Sequence, residues 1–211
     1  IIFKGKSYSD GVANDNGAWG VGFWNSSNKT INSGTGTIYI EGISQEDNNS
    51  SYNYGVVLEG TTVQFISANT SSDAIKIIGK NAAGDGVSYG RGISLQATTH
   101  KIHATGSGGG ITLQGEGRYG FTIYGTTEIL AVSGPITLES TNTADVTDIY
   151  INASDLDIGS KSGVTGLSSS SSNIIIRADT YNFSGLTPDI ATSGNVTWEP
   201  ISSSNSFGAH V

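Results

Sequence analysis

Residues 20–42 read GVGFWNSSNKTINSGTGTIYIEG, residues 55–79 GVVLEGTTVQFISANTSSDAIKIIG, residues 92–115 GISLQATTHKIHATGSGGGITLQG and residues 120–140 GFTIYGTTEILAVSGPITLES. Each carries three apolar blocks in one order. A G-Φ-x-Φ opening, with Φ apolar, is followed by a Thr or Ser pair and Φ-x-Φ, then by a Gly or Ser turn and I-x-Φ-x-G. The opening glycines, Gly20, Gly55, Gly92 and Gly120, stand 35, 37 and 28 positions apart, and the closing blocks begin at Ile38, Ile75, Ile111 and Ile136. Repetition at such a period marks an architecture in which each unit buries its apolar face only by stacking on the next.

Inside the blocks the alternation is strict: Ile38 and Ile40, Ile75 and Ile77, Ile93 and Leu95, Ile111 and Leu113, Ile136 and Leu138, Ile149 and Ile151, Ile174 and Ile176. A period of two is that of a β-strand with one buried face, and the blocks are short, β-branched and bounded by Gly, Asn, Asp and Ser. No window has amphipathic-helix spacing, so almost no helix is expected. Ile38, Val56, Ile75, Ile93 and Ile111 follow one another at intervals of 18 or 19 residues. A hairpin meander would place strands closer together, whereas such an interval suits one three-sided turn of a β-helix. The expected fold is therefore all-β, a right-handed parallel β-helix of about ten coils, each 35-residue unit making two. At about 4.8 Å per coil this gives a rod of about 50 Å. The units fall at about 20–54, 55–91, 92–119, 120–148 and 149–185, with an inter-block segment at 186–211.

Charged residues make up 13% of the chain, which contains 30 glycines and only 3 prolines. A surface of hydroxyls, amides and bare backbone is unusual for a cytosolic enzyme. The net charge of −8 removes the attraction that nucleic acid or an anionic membrane would need. Cys is absent, so no disulfide framework and no thiolate metal site can form. No apolar run is long enough for a membrane helix, and no membrane insertion is expected. The chain starts at Ile1 and reads as an excerpt of a longer polypeptide.

Tandem units of the form G-V-x-L…T-I…G-x-I-x-I-x-G, rich in Ser, Thr, Asn and Gly, resemble the passenger regions of filamentous haemagglutinin-like proteins secreted by the two-partner route, over about residues 19–179. Residues 194–204, GNVTWEPISSS, are similar to a segment that recurs between repeat blocks in such adhesins. The resemblance implies a right-handed parallel β-helix, an extracellular or bacterial cell-surface location, and a role in adhesion or as a rigid spacer. The expected partners are neighbouring coils of the same longer polypeptide, cell-surface glycans and other cells.

The competing class is a polysaccharide lyase or hydrolase, because such enzymes also use β-helices and cluster aspartates on one exposed face. Asp145, Asp148, Asp155 and Asp157 are its candidates, and Asp155 and Asp157 on one strand face would stand about 7 Å apart, a separation that glycosidase chemistry can use. Leu156 and Ile158 alternate with them, so the same pair reads equally well as the solvent side of a strand. His100 and His103 fall on opposite sides of a strand by parity and cannot share a metal ion without a bulge. Asn14, Asp15 and Asn16 read as turn chemistry in the absence of a calcium-loop pattern, and residues 106–110 (GSGGG) lack the Lys and the helix of a phosphate loop. His210 carries no information. No enzyme activity, catalytic residue, cofactor or metal site is expected. Trp19, Tyr54 and Tyr119 each stand directly before an opening glycine, with Tyr89 near the same place in the third unit. Equivalent positions stack in a solenoid, so these four form a candidate glycan-contact column, against the alternative of packing at a corner between coils.

Overall fold

The computed structural model describes residues 1–7, 18–45, 52–82, 90–142, 147–184 and 188–202. Among them are nineteen strands, numbered in chain order, and no helix. Sheet A holds β1 (Ile2–Ser7), β4 (Ile38–Ser44), β7 (Ile75–Asn81), β10 (Ile111–Gly117), β13 (Ile136–Asn142), β16 (Ile174–Arg177) and β19 (Val196–Glu199). Sheet B holds β2 (Trp19–Phe23), β5 (Tyr54–Leu58), β8 (Arg91–Leu95), β11 (Tyr119–Ile123), β14 (Ile149–Ile151) and β17 (Tyr181–Phe183). Sheet C holds β3 (Lys29–Asn32), β6 (Thr62–Ser67), β9 (Thr99–Ala104), β12 (Thr126–Ala131), β15 (Leu156–Gly159) and β18 (Asp189–Ala191). Successive strands belong to B, C and A in rotation, and every strand pairs in parallel with the strand three places away, as in β4 with β7 and β12 with β15. This is a parallel β-helix.

Its coils are fewer than the sequence spacing suggested. There are six complete B–C–A coils, with β1 as one strand of a seventh, so each unit is a single coil and the rod measures about 30 Å at about 4.8 Å per coil. The register shows why. Ile38, Ile75, Ile111, Ile136 and Ile174 are stacked partners in sheet A, whereas Val56 and Ile93 are stacked partners in sheet B. The interval of 18 residues was thus half a coil, because two different sheets feeding one core carry the same apolar template. Coil lengths differ through the A-to-B connection, which runs from eleven residues, 8–18, to Arg118 alone, and through the C-to-A connection, which reaches fourteen residues at 160–173.

The glycines that end the I-x-Φ-x-G blocks and those that begin the G-Φ-x-Φ blocks face each other at this A–B corner. Gly5, Gly42, Gly79 and Gly115 are in register in sheet A, and Ser140 continues the column. A Cβ on Gly42 would sit 2.0 Å from the Gly55 carbonyl oxygen, and one on Gly55 2.2 Å from the Lys80 nitrogen. The two sheets therefore meet backbone to backbone, a distance that only glycine permits. Pairing skips the opening glycine, as between Trp19↔Tyr54 and Val21↔Val56. The strand changes faces there: Val21 and Phe23 pack on the core, while the Trp19 ring lies beside Gly22, whose added Cβ would come within 2.9 Å of Trp19 Cε3.

Inward residues of the three sheets form one continuous core. Ile38, Ile40, Ile75, Ile77, Ile93, Leu95, Ile111, Leu113, Ile136 and Leu138 are all buried, together with Phe65, Ile102, Ile129 and Ile158 from sheet C. Phe23 meets Phe3 and Phe65 edge-on, with ring centroids 5.3 and 5.4 Å apart. Each fully buried aliphatic side chain contributes about 1.5–3 kcal/mol, so stacked columns of like residues hold every coil to its neighbours.

Candidate functional site

Because β2, β5, β8 and β11 change faces at their glycine, the residue before that glycine stands outside the inner stack of the core, although Tyr54 there is itself buried. Trp19 pairs with Tyr54, Tyr54 with Arg91 and Arg91 with Tyr119, so three of the aromatic residues expected to stack do occupy one register column. Tyr89 lies outside the described residues, and the position between Tyr54 and Tyr119 belongs to Arg91. Its guanidinium lies 5.2 Å from the Tyr54 ring centroid and 5.1 Å from that of Tyr124. It donates to the Tyr54 and Tyr124 hydroxyls at 3.2 and 2.8 Å and to Ser94 Oγ at 3.3 Å, and no ion pair engages it among the described residues. Arg91 is only 7% exposed, and its Nε has no acceptor. Burial raises the pKa of both tyrosines, an effect that the Arg91 charge opposes.

Other rings extend the column at both ends. Trp24 stacks on Trp19 at 4.6 Å, and Tyr52 lies against Tyr54 at 6.4 Å. Tyr150 is 6.2 Å from Tyr119 and 6.0 Å from Tyr124. A ladder of rings interrupted by one guanidinium thus crosses five strands of sheet B, about 19 Å at the spacing of parallel strands. Beside its first rungs is a cleft of about 690 Å³, open to solvent and lined by Trp19, Trp24, Tyr52, Tyr54, Glu59 and Gln96. Trp24 and Tyr52 are 57% and 49% exposed, large apolar areas to leave in water. Sequence spacing did not single out Trp24, Tyr52, Arg91, Tyr124 or Tyr150. Arg91 does carry a signal, since it precedes Gly92 as Trp19, Tyr54 and Tyr119 precede their glycines.

A second cluster lies on the outer side of sheet C. Lys101, Glu128, Asp157 and Asp189 are stacked register partners. The segment after β15 brings Lys161 across them, with its Nζ 2.6 Å from Asp157, 3.2 Å from Asp155 and 3.3 Å from Glu128. His103 Nε2 lies 3.0 Å from the other Glu128 oxygen, and Lys101 lies 3.8 Å from it. The carboxylate hydrogen bonds raise the pKa of Lys161 and keep it charged. Burial lowers that of His103, against the pull of Glu128. Asp155 and Asp157 are thus brought together, but with a lysine clamped between them. Asp157 is 6% exposed and does not form an open solvent face.

The remaining candidates have structural roles. Asp148 is buried, and its Oδ2 accepts from the backbone nitrogens of Asp179 and Thr180 at 2.7 and 2.9 Å, tying two coils together. His100 is completely buried, accepts from or donates to Thr127 Oγ1 at 3.1 Å, and receives the Ala97 amide at 2.9 Å on Nε2. Burial lowers its pKa to about 4. Residues 106–110 form a turn in which Gly108 has φ of +85°. Asp145, Asn14, Asp15, Asn16 and His210 lie outside the described residues. Among the described residues no group of His, Cys, Asp and Glu side chains is arranged to hold a metal ion.

Comparison with protein families, curated proteins and solved structures finds no match to this chain.

Proposed function

We propose that the chain is a stalk segment of a surface-exposed or secreted bacterial adhesin, a non-enzymatic β-helical spacer that touches cell-surface glycans along the outer side of sheet B. The observation that carries this reading is the ladder of rings, joined through Arg91, from Trp24 and Trp19 to Tyr150. Aromatic faces accept the apolar C–H faces of sugar rings, and the ladder, whose middle is buried at Tyr54 and Arg91, presents exposed rings at Trp24 and Tyr52. The low charge content and the even coil-by-coil build support a role in length and stiffness.

The competing reading, a polysaccharide lyase or hydrolase, needs an acid and a base free to exchange protons with substrate. The sheet C carboxylates have Lys161 as their common partner, which argues against it. The deciding experiment incubates the protein with neutral and acidic polysaccharides and also applies it to a glycan array. Binding without new reducing ends or unsaturated products, weakened by Tyr119→Ala, is expected. Turnover abolished by Asp155→Asn or Asp157→Asn would replace the stalk by the enzyme.

A further inference from the structure

The turn carrying Trp24 is built with unusual care. Lys29 stands in register with Val63, a core position, yet its side chain turns back to the turn: its Nζ donates to the carbonyl oxygens of Asn25 at 2.7 Å, Ser27 at 3.2 Å and Glu59 at 3.2 Å. Thr61 Oγ1 donates to the Ser26 carbonyl at 2.6 Å from the next coil. Asn25 is held at a φ of +128°, a conformation that costs a non-glycine residue strain and persists only where its surroundings impose it. The product of this bracing is an indole fixed flat on Trp19, with its other face turned to water.

What such a platform would hold follows from its neighbours. Glu59 lines the cleft with Gln96, and among the described residues no hydrogen bond or ion pair engages the Glu59 carboxylate. Trp19 Nε1, beside it, is a buried donor without an acceptor. A free carboxylate repels an anionic ligand, and so does a chain of net charge −8. The same carboxylate suits the hydroxyls of a neutral ring, while two exposed aromatic faces suit its C–H side; the Gln96 amide already donates to Ser94 Oγ at 2.9 Å and forms the wall.

We infer that the cleft between Trp24 and Tyr52 is a preformed subsite for a neutral hexose unit of a glycan, with Lys29 as the positioning residue that holds Trp24 ready. This rests on the glycan-contact reading of sheet B and names its ligand and its first rung. The Lys29 ammonium touches no ligand; its contribution is to remove the ordering of the turn from the cost of binding.

The test titrates the whole chain with a neutral hexose oligosaccharide, cellohexaose or maltohexaose, and with oligogalacturonate, following tryptophan emission and heat. Neutral oligosaccharide is expected to bind, and Trp24→Ala and Glu59→Ala each to weaken it about tenfold or more. Lys29→Met should weaken it several-fold and also diminish the near-ultraviolet dichroism of the stacked indoles, a signature that loss of a mere surface charge would not move. Trp24→Ala gives up a stacked face on Trp19 but should keep a cooperative urea transition, which serves as the folding control for the series. Tighter binding of oligogalacturonate, or neutral binding indifferent to Trp24→Ala but lost in Tyr119→Ala, would overturn the subsite while leaving the glycan reading standing. Absence of binding to every glycan tested would overturn both.

Discussion

The guanidinium of Arg91 lies 5.1 Å from the centre of the Tyr124 ring while donating a 2.8 Å hydrogen bond to the hydroxyl of the same residue. With Tyr54 on its other side, the cation joins rungs of three successive coils. Arg91→Ala should lower stability by about 2 kcal/mol, from loss of the cation–π faces and of hydrogen bonds between buried groups. Arg91→Lys, which keeps the charge but not the planar fork, should recover about half of that. Urea midpoints of the three proteins check the order; a lysine variant equal to wild type would show that charge alone matters.

Two glycine substitutions should separate close approach from backbone conformation. A Cβ on Gly55 would lie 2.2 Å from the Lys80 nitrogen, and backbone on both sides cannot retreat without parting sheets A and B. Gly55→Ala should therefore cost more than about 3 kcal/mol. At Gly163 nothing lies within 4 Å, but φ is +83°, so Gly163→Ala should cost only about 1 kcal/mol. Thermal unfolding of both variants measures the difference, and comparable losses would contradict the backbone contact.

His100 makes stability depend on pH. Its folded pKa, about 4, lies below the ordinary value of 6.5, so the unfolded chain takes up the proton first. Stability is then full above pH 6.5 and falls as pH drops towards 4, by up to about 3 kcal/mol from this group. The difference between wild type and His100→Gln in urea midpoint should shrink steadily across that window. A difference constant from pH 7 to pH 4 would mean that the imidazole is not desolvated.

Lys161 stands among three carboxylates, and Glu128 and Asp157 beside it are largely buried. Lys161→Met leaves these negative charges facing one another and should cost about 2 kcal/mol. The double variant Lys161→Met with Glu128→Gln should regain part of it. Lys101→Met, whose ammonium is 3.8 Å from Glu128 at the rim of the cluster, should change stability by less than about 1 kcal/mol. A double variant no better than the single one would show that Lys161 acts through packing rather than charge.

The strand content and the core were legible because a parallel sheet buried among others writes its inward residues plainly, as Ile75 and Ile77 or Ile111 and Leu113 do. The number of coils was not, since sheets A and B satisfy one core with one template and nothing in Val56 or Ile75 says which sheet it serves. The aromatic column was legible at Trp19, Tyr54 and Tyr119 from their shared place before a glycine. Arg91 escaped a search for rings, although it holds the same place. Trp24 and Lys161 act through turns that fold side chains back over neighbouring coils, as Lys29 reaches the Glu59 carbonyl and Lys161 reaches Glu128. Such meetings follow no period, so no repeat pattern announces them.

The backbone contact at the A–B corner has a further consequence. Since the sheets are locked together by glycine on either side of it, the connection that leaves and re-enters there can be one residue, Arg118, or eleven, without altering the cross-section of a coil. Each such connection ends just before the first residue of a sheet B strand, and four of the six border Trp19, Tyr54, Arg91 or Tyr119. The molecule thereby combines a framework repeated from coil to coil with corner connections of different length, an arrangement that lets loops change while the scaffold stays. Recognition could be redrawn by exchanging segments at this seam while the ladder beneath keeps its geometry, which makes the corner the natural place for grafted sequences.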